Sequence, residues 1–240
     1  MPTAVGTSVD ALFNVMGFAF PAAGIRGRDP TGVPILIWGG ASAVGSAAIQ
    51  VARAAGFDPV LTTASPKNHD YLKEAGATHV FDYNSPTIVD DIKGAVALTG
   101  KRLSVMFDAV SSGLGQLGSE KPEPNNTPDL AKSCASDGVS AEDLVLSAVL
   151  PVPHDPSWLF CIGIRTYGDK FFLGTDVSQD PSWPIRMKAG MDWVMNNHEK
   201  VWKPILRTTI VRGAERGIAE IRRVADGRAS REKVLIAHPM

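Results

Sequence analysis

Apolar positions along the chain fall into short unbroken runs, separated by segments in which apolar residues recur three or four positions apart. Residues 34–38 (PILIW) form such a run between turn residues, the pattern of a strand buried on both faces. Similar runs at 59–63 (PVLTT), 79–81 (HVF) and 103–110 (LSVMFDAV) predict further strands. Between them, residues 46–55, the segment after the polar turn at 65–68 to about Ala75, and residues 85–96 read as helices, with Gly56 and Gly76 as stops. Strands separated by helices imply parallel βαβ units, so the predicted fold class is α/β, a Rossmann-type doubly wound parallel sheet. Residues 143–150 and 159–164 resume the strand pattern, 187–197 and 214–225 look helical, and 205–211 and 233–236 look extended. Ahead of the first strand, the apolar stretch 11–23 predicts a buried helix and 25–32 (IRGRDPTG) an exposed connection. The Gly-, Pro- and Asn-rich stretch 111–128 predicts a long surface loop.

Composition narrows the class. At 240 residues the chain buries a substantial core, and 44% apolar with 20% charged residues is the balance of an ordinary globular protein. Lys plus Arg (24) nearly cancel Asp plus Glu (25), which favours neither nucleic acid nor an anionic membrane surface as partner. No apolar run approaches the roughly twenty residues of a membrane span. Residues 11–23 lack a preceding Lys or Arg and have Asp10 at their edge, unlike a signal sequence. Cys134 and Cys161 are too few for a disulfide framework and lack zinc-site spacing, so a reducing cytoplasm and no metal are expected.

The first strand leads into Gly39-Gly40-Ala41-Ser42-Ala43-Val44-Gly45 and a helix. In such a unit, backbone N–H groups at the turn and helix N-terminus hold a dinucleotide pyrophosphate. Gly39 permits the tight reversal, Gly45 the close packing of helix on sheet, and Ser42 replaces the middle glycine with a hydroxyl donor. Glycines in such a turn also serve packing alone; the strand before, helix after and second strand at the right distance favour a cofactor. That second strand ends Thr62-Thr63-Ala64-Ser65 without the acid that usually holds an NAD ribose, while Ser65, Lys67 and Asn68 offer donors to a 2′-phosphate. NADP is therefore expected over NAD. The same residues read equally as a helix start, with Ser65 as N-cap and Pro66 in the first turn. Tyr83 contacts the adenosine end or occupies a surface turn.

The segments ILIWGGASAVGSAAIQVARAAGF and TTASPKNHDYLKEAGATHVFDYNSP resemble the cofactor domain of zinc-independent medium-chain dehydrogenase/reductases, especially fungal trans-acting enoyl reductases, and GRASREKVLI is similar to that family's terminal strand. The resemblance implies that Gly39, Ser42, Ala43, Val44 and Gly45 hold the pyrophosphate, Ser65, Pro66, Lys67 and Asn68 the 2′-phosphate, and Tyr83 the adenosine. It places Val149 and Leu150 near the nicotinamide, Ser230 and Arg231 near the returning terminal strand, and Thr7 of a Gly6-Thr7 pair near nicotinamide and substrate. Core packing for Val149 and Leu150, and a solvated turn for Ser230 and Arg231, are the alternatives. The family also has an N-terminal barrel, so residues 1–32 are expected to be an interdomain-type helix and connection, and 33–240 the dinucleotide-binding domain with C-terminal helix and strand.

The implied activity is NADP-dependent reduction of an activated carbon–carbon double bond in a small molecule, such as an enoyl thioester presented by a synthase. A quinone-type reductase, or NADP binding without turnover where no barrel closes the cleft, are the alternatives. A short-chain reductase needs Tyr-x-x-x-Lys, which Tyr71, Tyr83 and Tyr167 do not supply. Asp108 ends a strand where ligands bind, but a carboxylate there also caps a turn. No catalytic residue is assigned, and His69, His79, His154, His198 and His238 lie in unrelated contexts.

Overall fold

In strand β1 (Ile35–Trp38) every residue is buried. Ile35 and Ile37 belong to one apolar cluster and Leu36 and Trp38 to another, because successive side chains point to opposite faces. A computed structural model describes residues 2–114, 122–172, 176–198, 203, 207–226, 228 and 232–237. Strands β2 (Val60–Thr63), β3 (His79–Phe81), β4 (Val105–Asp108), β5 (Val145–Ala148) and β6 (Trp158–Phe160) complete a parallel sheet in the order β3-β2-β1-β4-β5-β6. The order reverses between β1 and β4, and in sheets of this kind the crevice outside the carboxyl ends of such strands is where ligands bind. This is the doubly wound α/β sheet that the sequence predicts.

Helices α1 (Pro2–Val9), α2 (Ala43–Ala55), α3 (His69–Glu74) and α6 (Trp183–Asn197) cover one face, through Val5, Val9, Ile49, Leu72, Met187 and Val194. Ala47, Ala48 and Ala52 are fully buried, so little side-chain bulk separates α2 from the sheet. Helices α4 (Ile88–Ala97) and α5 (Thr127–Ser133) cover the other face with Ile88, Ile92, Val96, Ala131 and Cys134. Beyond the main sheet, β7 (Lys170–Phe172) and β8 (Asp176–Ser178) form an antiparallel pair, while β9 (Arg207–Arg212), α7 (Ala214–Ala225) and β10 (Glu232–Ala237) form a separate parallel βαβ unit.

Several predicted elements are corrected. Residues 11–23 are not one helix: α1 widens into a π-helical segment, Asp10–Val15, and Gly17, at φ +71°, then turns the chain away. Phe18 and Phe20 instead form β-bridges to Arg28 and Ile25, and Phe20 stacks on Phe13 at 4.9 Å. Ile25, placed in an exposed connection, is buried. The long loop predicted over 111–128 contains the start of α5, which Asn126 caps by accepting a 3.0 Å bond from the Asp129 N–H, with Pro128 in the first turn. Strands β4, β5 and β6 are shorter than the apolar runs, α4 starts three residues late at Ile88, and α6 starts four residues early at Trp183. Helix α7 is as its periodicity predicts. Ile205, the start of the extended run before it, lies outside the described residues.

Two long-range contacts fix the segments around the sheet. Asp10 is fully buried and receives the Arg165 guanidinium at 2.5 and 2.8 Å, the Asn14 amide at 2.8 Å and the Ile162 N–H at 3.0 Å. The guanidinium lies 4.4 Å from the Trp183 ring and bonds the Gln179 amide oxygen at 3.3 Å. The end of β6 is thereby tied to the first helix. On α2, the Gln50 side chain accepts from the Lys203 N–H at 2.7 Å and donates to its carbonyl at 3.3 Å.

Removing one partner of a buried ion pair leaves the other charge uncompensated. Asp10→Ala is therefore expected to destabilise the fold by about 3–5 kcal/mol. Urea unfolding checks this; a loss below about 1 kcal/mol would mean that the pair is solvated and weak.

Candidate functional site: the crevice above β1 and β4

The turn after β1 is built so closely that side chains do not fit. A Cβ on Gly40 would stand 2.2 Å from Thr62 Oγ1, and one on Gly45 2.3 Å from the Gly39 carbonyl oxygen. Gly39, at φ +83°, supports the Val110 side chain where its own Cβ would stand. The Gly39 N–H donates to Thr63 Oγ1 and the Gly40 N–H to the Thr63 carbonyl, both at 2.9 Å, so β2 fixes the turn. Thr62 donates its hydroxyl to the Ile37 carbonyl at 2.6 Å.

Ser42 is the N-cap of α2, its hydroxyl oxygen accepting from the Gly45 N–H at 2.9 Å. The same hydroxyl donates to the Ala109 carbonyl at 3.2 Å. The hydroxyl donor expected of Ser42 is present, but its proton is used to brace the β4 loop. The Gly45 N–H is likewise used. Ala43 and Val44 are the first two residues of α2, whose N–H groups have no intrahelical acceptor by helix geometry. These two donors and the positive end of the helix suit an anion.

After β2, Ser65 stands at the N-cap position of the short turn of helix Pro66–Asn68, with Pro66 in the first turn as predicted, but makes no side-chain capping bond; its hydroxyl lies 3.1 Å from that of Tyr83, which follows β3. Pro66 and Lys67 are exposed, whereas Asn68 is buried. The group is thus split: Ser65 and Tyr83 meet, Lys67 is exposed beside them in sequence, and Asn68 belongs to the interior.

At the other side, Asp108 ends β4 with its carboxylate fully buried. One oxygen accepts from the Val110 and Ser111 N–H groups, each at 2.9 Å, and the other from the Thr127 hydroxyl at 2.6 Å. Burial pushes its pKa above the ordinary carboxylate value, against the pull of those hydrogen bonds. Val149 and Leu150 follow β5, Val149 half-buried against the core and Leu150 half-exposed. The Leu150 N–H donates to Ser111 Oγ at 3.2 Å.

Thr7 is buried in α1, its hydroxyl donating to the Thr3 carbonyl at 2.9 Å. Gly6 packs so tightly on Gly163 that a Cβ would stand 2.4 Å from the Gly163 carbonyl oxygen. Ser8 bonds the Val44 carbonyl at 3.0 Å, which brings this part of α1 to the first turn of α2. Ser230 and Arg231 lie outside the described residues. Sequence reasoning missed Thr62 and Thr63, Ser8 and Arg165; the adjacent threonines in a buried strand are the one signal that pointed toward them.

Among the described residues no three His, Cys, Asp or Glu side chains come together as a metal site. Burial pushes the thiols of Cys134 and Cys161 up to about 12, far from the thiolate form that binds metal.

Comparison with known proteins bears on this geometry. Residues 43–115 match a family model described as zinc-binding dehydrogenase. Dehydrogenase azaJ of Aspergillus niger is 35% identical over 169 residues, 62% of this chain and 45% of that protein. Over residues 43–115 the chain is thus similar to that dehydrogenase family. Trans-enoyl reductase eqxC of Fusarium heterosporum is 44% identical over 93 residues, 37% of this chain and 26% of that protein. The chain thus matches less than half the length of these relatives. Among solved structures, CurA of Vibrio vulnificus in complex with NADPH superposes with TM-score 0.57 at 12% identity, covering 100% of this chain and 63% of that one. CurK enoyl reductase superposes with TM-score 0.52 at 15% identity, covering 98% and 60%. At such identities the likeness is one of fold. Among the described residues no helix of the domain is long and apolar enough to cross a membrane.

Two outcomes are expected. Gly45→Ala should cost about 1–3 kcal/mol through the clash with the Gly39 carbonyl, read by urea unfolding. For Asp108, a folded-state pKa raised above 3.8 contributes stability that is present below that pH and lost as pH rises through the raised value. The stability of Asp108→Asn relative to the wild type should therefore improve from about pH 4 to neutrality, and a constant difference would overturn the assignment.

Proposed function

We propose that the domain binds NADPH and reduces an activated carbon–carbon double bond in a small molecule, as an enoyl reductase-like oxidoreductase. The observation that carries the reading is the turn after β1, whose glycines leave no room for side chains while the Ala43 and Val44 N–H groups open α2 toward the crevice. An extended pyrophosphate suits that cradle. The absence of an acid at the end of β2, with the Ser65 and Tyr83 hydroxyls in contact and an exposed Lys67 two residues after Ser65, supports a 2′-phosphate and hence NADP over NAD. Pro66 shapes this turn; the buried Asn68 does so from within.

The nicotinamide ring, when bound, supplies the hydride. The chain's residues bind and orient. Val149 and Leu150 form an apolar wall for the ring, the half-exposed Leu150 keeping water from it, and Thr7 lies on the substrate side. Ser230 and Arg231 are assigned near the terminal strand by family resemblance alone. The protonated thiols and the lack of a ligand cluster among the described residues support chemistry without zinc. In this reading residues 1–32 join the dinucleotide-binding domain, 33–240, to a barrel, the substrate is an enoyl thioester presented by a synthase, and two free buried cysteines suit the cytoplasm. The reading includes neither nucleic acid nor a membrane as partner.

Titration with NADPH and NADH, followed by nicotinamide fluorescence, tests the cofactor. Lys67→Ala is expected to weaken NADPH about tenfold and NADH little, since one charge-assisted contact to phosphate is lost. Equal loss for both would remove the 2′-phosphate role. NADPH binding without oxidation by enals, enoyl thioesters or quinones would leave a binding domain without turnover.

A further inference from the structure

The pyrophosphate turn and the nicotinamide wall lie on different strands, yet both end on one short loop after β4. Ala109 accepts the Ser42 hydroxyl, and Val110 lies over Gly39. Ser111 accepts the Leu150 N–H. The conformation of residues 109–111 therefore sets the positions of Ser42, which caps α2, and of Leu150.

That conformation is not one that the loop adopts unaided. Ser111 has φ +53°, a left-handed geometry that disfavours side chains larger than glycine. It is held by the Asp108 carboxylate, which takes the N–H groups of Val110 and Ser111 on one oxygen. The other oxygen takes Thr127 Oγ1, which itself accepts the Ser112 N–H at 2.8 Å. With the Thr127 N–H donating to the Ser112 carbonyl at 2.9 Å, the loop is clamped to the start of α5. A buried carboxylate satisfied by three local donors costs desolvation that a simple strand end does not need. What it secures is the loop between the two halves of the crevice.

We infer that Asp108, with Ser111 as its outward arm, is a positioning residue that couples the pyrophosphate turn to the nicotinamide wall, so that the two halves of a dinucleotide are bound in register. Asp108 touches neither half. It acts through Ser42 on one side and Leu150 on the other. This rests on the dinucleotide reading above.

The experiment titrates wild type, Asp108→Asn, Asp108→Ala and Ser111→Ala with NADPH and with 2′-phospho-ADP-ribose, which lacks the nicotinamide ring, alongside thermal unfolding. Asp108→Asn keeps an acceptor for the two N–H groups and should bind both ligands within about threefold of wild type. Asp108→Ala should lose about tenfold or more for both. Ser111→Ala, which keeps the Asp108 bonds but drops the acceptor for Leu150, should weaken NADPH about threefold or more and leave 2′-phospho-ADP-ribose unchanged. If Asp108→Ala does not fold, Ser111→Ala decides. Equal effects of Ser111→Ala on the two ligands, none on either, or a folded Asp108→Ala that binds as wild type would overturn the inference. Wild type that binds neither ligand would overturn the dinucleotide reading itself.

Discussion

How near α2 can come to β1 governs the carboxyl end of this sheet. The approach is limited by one contact, the alpha carbon of Gly45 against the carbonyl of Gly39, where a single added methyl would meet oxygen at 2.3 Å. Because the contact is that close, the N-terminus of α2 lies directly above the sheet, and the cap, the threonine hydroxyls of β2 and the loop after β4 close around it. The crevice has its shape because backbone, not side chain, fills the turn.

The same contact explains the division of labour among donors. Backbone groups that hold the turn are satisfied inside it by Thr63, Ser42 and Gly39. Only groups at the very start of α2 remain directed outward, where the helix dipole adds to them. A site of this kind needs no lysine or arginine at the pyrophosphate. In the NADPH reading proposed above, the charged contact falls at the edge, on Lys67, where it distinguishes rather than merely attracts.

What the sequence made legible was local. The run PILIW, the glycine turn and the helix after it are specified within a dozen residues, so pattern alone recovers strand, turn and helix. Strand ends were overestimated because apolar residues continue past the last residue paired in register into buried loops, as Cys161 and Ala109 do. The partner of the Ser42 hydroxyl was invisible because it lies 67 residues away. Asp10 looked like the polar edge of an apolar helix, and its meaning depends on Arg165, 155 residues on. The start of α5 was missed although its Asn126 cap and Pro128 were present, since the surrounding glycines and prolines were read as loop throughout.

Position 50 presents a different constraint. Gln50 meets Lys203 as one peptide group meets another, accepting and donating at once. Glutamate has the right length but offers no donor, lysine offers no acceptor, and both are one base change from glutamine in the genetic code. Purifying selection at this codon would therefore reject its nearest charged neighbours for a reason unrelated to charge, burial or catalysis: the side chain is a surrogate piece of backbone, and only an amide can play it.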